Sequence, residues 1–340
     1  METMKTMIPK IVIVSILLFF ETANAYLSAW EMQKRMGPIG INLGNTLDAP
    51  EEGNWAPKAE KRFFVEYREK KFTNVRVPVQ WGHHFDQDNF TVSETFMDRV
   101  EQVIDWSLEE NFTTIVNVHH DEWFEVGYPS SLPKFEKLWT QISTRFSNKS
   151  QNLLFEIYNE PHTSNFDVDA LNEMNSRAYE IIRETNHPSR IIIFGGLQWM
   201  NPSWVISNPN AMKIFDLEAK NDTQVMLEIH NYDPYNYAGA NPSVFSWGSD
   251  EDLETLTGWM DDIGNWSKSK NVPIYYGEYG CTTHQSESTG RYVWYKAHAN
   301  AIRRHGFASS VWDDDGMYRV YDRNSDTWDE LLLNALMAAE

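Results

Sequence analysis

A single cysteine, Cys281, stands among 340 residues, so no internal disulfide can form and the fold must rest on its packed core. Cationic residues are scarce as well: 29 Lys and Arg face 49 Asp and Glu, a formal net charge of −20. Nucleic acids and anionic membranes need clustered Lys and Arg, so neither is expected as a partner and the substrate is expected to be neutral. Long apolar runs are limited to residues 11–20, about half of what a membrane span requires. That run follows Lys5 and Lys10 and precedes Ala23-Asn-Ala25, the pattern of a secretory leader. Residues 1–25 are therefore read as a removed signal peptide, leaving a secreted, extracellular chain from near Tyr26 with no membrane attachment. Pro/Ser/Gly linkers, charge blocks and internal repeats are missing too, which favours one domain over 26–340. No Gly-rich phosphate loop follows the first strand, and neither cofactor nor metal is expected.

What the chain does have is aromatic rings: 14 Trp, 15 Tyr and 18 Phe. Most must fill a core, but the surplus suits stacking on sugar faces. Five acceptor sequons, at Asn89, Asn111, Asn148, Asn221 and Asn265, fit a eukaryotic secretory route and a glycoprotein. Short β-branched or aromatic runs recur at 39–45, 72–79, 113–119, 153–160, 190–196, 224–232, 272–280 and 308–316. Helical patterns fill the gaps, as over 94–109, with Phe96, Val100, Val103, Ile104 and Leu108 on one face, and over 170–184. Eight β-then-α units predict an α/β fold, a single (β/α)8 TIM barrel.

Such barrels collect their active sites at the C-terminal strand ends. Polar residues stand there in this sequence: Asn42, Asn45, Arg76, His119, His120, Asn159, Glu160, His230, Tyr232, Glu278, Trp312 and Asp313. Glycosidic hydrolysis needs one carboxylic acid to protonate the leaving oxygen and one carboxylate to meet the developing oxocarbenium ion. Glu160 and Glu278, ending strands four and seven, can fill both posts. Arg76 is expected to hold Glu278 ionised with help from Tyr232, while Glu160, lacking a cation, keeps its proton longer. Asn159 suits the sugar 2-hydroxyl, and His119 and His230 suit hydroxyls or the carboxylates. Trp312 offers a floor for stacking, and Trp81, Trp123, Tyr128 and Trp199 are candidate loop aromatics.

Seven motifs in order carry a resemblance. Gly40-Ile-Asn-Leu-Gly-Asn45, Val75-Arg-Val-Pro-Val79, Val118-His-His120, Tyr158-Asn-Glu-Pro161, His230-Asn-Tyr232, Gly277-Glu-Tyr-Gly280 and Val311-Trp-Asp313 are similar to the motifs of glycoside hydrolase family 5, the cellulase-like group of clan A. The resemblance spans almost the whole chain after residue 25. It implies a retaining glycosidase with Glu160 as acid/base and Glu278 as nucleophile, supported by Arg76, His119, Asn159, His230, Tyr232 and Trp312. It departs at Tyr279, where many members carry Phe, and at Asp313-Asp-Asp-Gly316. The implied activity is that of an endo-β-1,4-glucanase acting as a monomer on a β-glucan polysaccharide, with mannan, xyloglucan or mixed-linkage glucan as alternatives. With no carbohydrate-binding module or linker in the sequence, soluble chains should be cut better than crystalline ones.

Two other classes were open to the same residues. A catalytically inactive sugar-binding barrel would keep the stacking rings, and a metal hydrolase could use His119-His120-Asp121-Glu122. The pleat argues against the metal, because neighbouring histidines on a strand point to opposite faces.

Overall fold

The computed structural model describes residues 26–86, 88–216 and 219–338. The leader expected over 1–25 lies outside them. Eight parallel strands pair in chain order: β1 Gly40–Asn42, β2 Asn74–Val77, β3 Thr113–Asn117, β4 Leu153–Glu156, β5 Ile192–Gly195, β6 Val225–Asn231, β7 Ile274–Tyr279 and β8 Ala308–Ser309. The ring closes just past β8, where Ile41 bridges Val311 and Asn42 N donates to the Val311 carbonyl at 2.9 Å. This is the expected TIM barrel.

Helices between the strands follow the apolar periodicity. The pattern over 94–109 becomes helix Glu94–Glu109, burying Phe96, Val100, Val103 and Ile104. The one expected over 170–184 runs Val168–Thr185, because Asp167 caps it by accepting from the amides of Asp169 and Ala170. The last apolar run stops as a strand at Ser309 although its pattern reaches Gly316. Asp313 and Asp315 turn that segment aside by accepting amide N–H groups from Val320 and Arg323.

Strand alternation divides the apolar side chains between two cores. Outward residues such as Val116, Phe155, Leu227 and Ile274 pack against the helices. Inward residues Ile115, Leu154, Ile193, Met226, Tyr275 and Ala308 form a plug at the bottom of the barrel, closed by Ala29, Met32 and Met36 of helix Ala29–Met36. Above that layer the inward positions turn polar, and the site begins there. Among the described residues, no helix is long and apolar enough to cross a membrane.

Candidate active site

Two residues above the plug, Asn42, Arg76, Asn117, Glu156 and Glu228 occupy the barrel axis, all buried. Arg76 forks onto Glu156, with Nε to Oε2 at 2.6 Å and Nη2 to Oε1 at 2.8 Å, and its Nη1 reaches Glu278 Oε1 at 2.5 Å. Its Nη2 also donates to Asn159 Oδ1 at 2.8 Å. Arg76 is thus both an internal ion pair and the cation beside Glu278.

Glu278 faces the mouth because β7 carries a bulge. Ile229 pairs with Tyr276 but His230 pairs with Glu278, so Gly277 is the extra residue and the next side chain turns inward. Gly277 is also where a side chain cannot fit, since a Cβ there would overlap the Glu228 carboxyl. Tyr232 OH donates to Glu278 Oε2 at 2.7 Å. Burial alone would raise Glu278, but the charges of His230 and Arg76 and the Tyr232 hydrogen bond outweigh it and hold the carboxyl below its ordinary range.

Glu160 stands four residues beyond β4 with a left-handed φ of 50°, one of the strained positions at this mouth. The turn is held from behind: buried Glu125 Oε2 accepts from the amides of His162 and Thr163 at 2.8 and 2.7 Å. An oxygen of Glu160, one of Glu278 and a nitrogen of His230 all lie within 4.8 Å of one another. His230 Nδ1 is 2.8 Å from Glu160 Oε1. Burial opposes charge on His230, yet Glu278, Glu160 and Glu228 together hold its pKa up to about 10. The expectation that Glu160 lacks a cation is corrected: the imidazolium of His230 is beside it.

The matched family model is "Cellulase (glycosyl hydrolase family 5)", over residues 36–316. The chain belongs to glycoside hydrolase family 5. It is 40% identical over 314 residues to Endoglucanase H of Acetivibrio thermocellus, covering 90% of this chain and 33% of that one. Endoglucanase A of Clostridium longisporum is 30% identical, with 85% of this chain and 60% of that one covered. The chain thus spans about a third and three-fifths of these two relatives. Among solved structures, a hyperthermophilic endo-β-1,4-glucanase in complex with substrate superposes with a TM-score of 0.84 at 31% identity, covering 92% of this chain and 99% of that one. Cel5A of Thermotoga maritima in complex with mannotriose gives 0.83 at 29% identity, covering 91% and 99%.

Around the family 5 carboxylates the other expected residues divide. Trp312 lies at the mouth, parallel to His119 at 6.0 Å, and packs over Gly44, where a Cβ would come within 2.7 Å of its ring. His119 is buried and held neutral, its pKa pushed well down by burial and by His120, Arg76 and His230. Trp199 is 54% exposed and stacks on His162 at 5.0 Å. It is presented by three successive left-handed residues, Gln198, Trp199 and Met200. His120 also has a positive φ, 51°, which breaks the pleat. Both histidines and Asp48 therefore bring one nitrogen or oxygen each within 4.8 Å, and the argument that the two rings must diverge is corrected.

Asn42, expected to touch substrate, is instead a tie beneath the mouth. Its Nδ2 reaches the carbonyls of Gly277, Ser310 and Val311, and its Oδ1 accepts from Arg76. Trp81 is fully buried with Nε1 on the Asn117 carbonyl. Trp123 has Lys134 over its ring at 4.1 Å and Phe85 at its edge, so the face expected to carry sugar is taken. Tyr128 packs on Phe124 and Phe166 and bonds Glu173. Asp313 is buried against Arg323 at 3.0 Å rather than lining the rim. Five residues at or behind the mouth were missed. Glu156 and Glu228 were detectable by counting two from the inward Leu154 and Met226. Trp55, 48% exposed and edge-on to His120 at 5.7 Å, followed the first strand in a Gly53-Asn-Trp turn. Glu125 and His162 carried no sequence signal.

Proposed function

We propose that this chain is a secreted, retaining endo-β-1,4-glucanase with Glu278 as nucleophile and Glu160 as acid/base. The observation that carries the reading is the closeness of the two carboxyls, with an oxygen of each within 4.8 Å of the other. A retaining pair stands about 5–5.5 Å apart, whereas an inverting pair leaves room for a water at about 6.5–9.5 Å. In the first step a Glu278 oxygen bonds to the anomeric carbon, the glycosidic C–O bond breaks, and Glu160 gives its proton to the departing oxygen. In the second, water attacks that carbon, Glu160 takes the water's proton, and the bond to Glu278 breaks.

Arg76 and Tyr232 keep Glu278 anionic for the attack. Asn159 has its Oδ1 tied to Arg76, which leaves its amide nitrogen to donate to the sugar 2-hydroxyl. Trp312, His119 and His120 suit the sugar on the nucleophile side, and Trp199 with His162 suits the leaving-group side, since His162 is two residues from Glu160. The printed names of the relatives support a β-1,4-glucan. The mannotriose complex of a structural neighbour supports β-mannan as a second substrate. Secretion and glycosylation draw support from the five sequon asparagines, all of which are exposed.

Purified wild type, Glu160→Gln and Glu278→Gln should be compared by reducing-end release from carboxymethyl cellulose, barley β-glucan, xyloglucan, glucomannan and xylan. The wild type is expected to cut the first two, and each variant to lose at least a thousandfold, on the order of 4 kcal/mol of transition-state stabilisation. A variant retaining near-full activity ends the assignment, and a wild type inert on all five leaves a binding barrel.

A further inference from the structure

The buried carboxyl of Glu228 has no part in the mechanism above, yet it touches the residue that touches the acid/base. Its Oε1 lies 3.2 Å from His230 Nε2, and His230 Nδ1 lies 2.8 Å from Glu160 Oε1. The three side chains form one file from the barrel axis to the mouth. We propose that Glu228 is a positioning residue for Glu160: acting through His230, it keeps both imidazole nitrogens protonated and so sets the pH at which proton donation to the leaving group fails. The inference rests on the proposed role of Glu160.

Three observations support it. An imidazole has two nitrogens, and whichever acceptor holds one of them decides what the other can do. With Oε1 of Glu228 accepting from Nε2–H, a second proton on Nδ1 makes His230 a donor to Glu160 Oε1 and leaves Glu160 Oε2 free to carry the proton for the sugar. Without that second proton, Nδ1 becomes an acceptor, and the Glu160 proton is drawn toward the ring instead of the glycosidic oxygen.

The space for Glu228 is also built. It sits where β7 has Gly277, and no larger residue fits that position. A carboxyl there is costly, being fully buried with Oε2 lacking a hydrogen-bond partner. Burial and the neighbouring Glu156 push it above the ordinary carboxylate range, against Arg76 and His230.

The surrounding charges are consistent with this division. Glu228 faces Arg76 of β2 at 3.4 Å, Glu156 of β4, Tyr275 of β7 and His230 of its own strand. His230 faces Glu160 past β4, Glu278 of β7 at 3.7 Å and His119 past β3. Arg76 is already forked on Glu156, so Glu228 lies slightly nearer His230, at 3.2 Å, than Arg76, at 3.4 Å, and shares the imidazole with Glu160 on its other nitrogen.

The test is kcat/KM against pH for wild type and Glu228→Gln, with cellotetraose and with 2,4-dinitrophenyl cellobioside. Gln keeps an oxygen for Nε2–H and the shape, but removes the negative charge that the carboxyl carries on the alkaline side of its raised pKa, where the limb falls. Removing a negative charge eases proton loss from the His230–Glu160 pair, so the alkaline limb on cellotetraose should move down by half a pH unit or more. Dinitrophenolate leaves without acid help, so its limb should stay in place. Superimposed cellotetraose profiles, or equal shifts on both substrates, overturn the proposal. A wild type inert on cellotetraose speaks against the glucanase reading. A second measurement then judges Glu228 in the folded wild type: 15N shifts of His230, assigned by their loss in His230→Gln. An imidazolium from pH 6 to 8 is expected, and a neutral ring at pH 7 overturns the inference.

Discussion

Charges removed from water are tolerated only where partners replace the solvent, and Arg76 does this for three carboxyls at once. Its guanidinium and Glu156 are both fully buried. Replacing Arg76 by Gln leaves Glu156 and Glu278 without their cation, and deleting one partner of a buried pair costs about 3–5 kcal/mol. The expected thermal shift is then roughly 6–10 °C, at about 2 °C per kcal/mol for a chain of this size. The pH profile should change as well. Glu278 is held low, so its ionised form is available above its unfolded value and lost as pH falls through its folded value. Without Arg76 that loss begins at a higher pH, and the acid limb of kcat/KM should move upward. An acid limb that stays put, in a variant that still folds, would mean that His230 and Tyr232 alone hold the nucleophile.

Among the elements, helix Arg291–His305 contributes a buried ring that the site does not use. His298 donates Nδ1–H to the Trp294 carbonyl at 2.9 Å, stacks on Trp294 at 3.6 Å and faces Tyr276 and Tyr279. Burial pushes its pKa down to about 3, so the helix docks with a neutral imidazole. That contribution is complete above the ordinary histidine value of about 6.5 and is lost as pH falls from there toward 3, at up to about 1.4 kcal/mol per unit. His298→Phe should therefore lose less stability than wild type between pH 7 and pH 4.5 in urea unfolding, even if it starts lower. Parallel losses would place the acid sensitivity elsewhere. The eight strands and the helices over 94–109 and 170–184 were legible in outline, because apolar periodicity and β-rich runs are signals that local sequence carries. The bulge at Gly277 was not, since a register shift exists only between two strands. Nor were the left-handed turns at His120 and at 198–200, where tertiary contacts overrule local preference. Those turns are why the pleat argument about His119 and His120 failed, and why Trp199 stands out into solvent while Trp81 is buried and Trp123 only partly exposed.

Across the whole molecule, chemistry and stability sit at opposite ends of one barrel. The mouth holds the carboxylates, strained turns and exposed rings. The floor holds an apolar plug completed by Met32 and Met36, each fully buried in helix Ala29–Met36. A chain with one cysteine has no disulfide to compensate for damage there. Met32→Ala removes packed methylene groups from a fully buried site in that plug, and such truncations cost about 2–5 kcal/mol. Yet Arg76, Glu156 and Glu228 lie a layer above the plug, joined by directional bonds that do not involve Met32. The expected result is a clearly lowered midpoint in urea with kcat at 25 °C within about twofold of wild type, because interior packing and polar network are coupled only where they touch. A fall in kcat as large as the fall in stability would show that the plug positions the network above it, and the division of the barrel into a stabilising floor and a reactive mouth would be wrong.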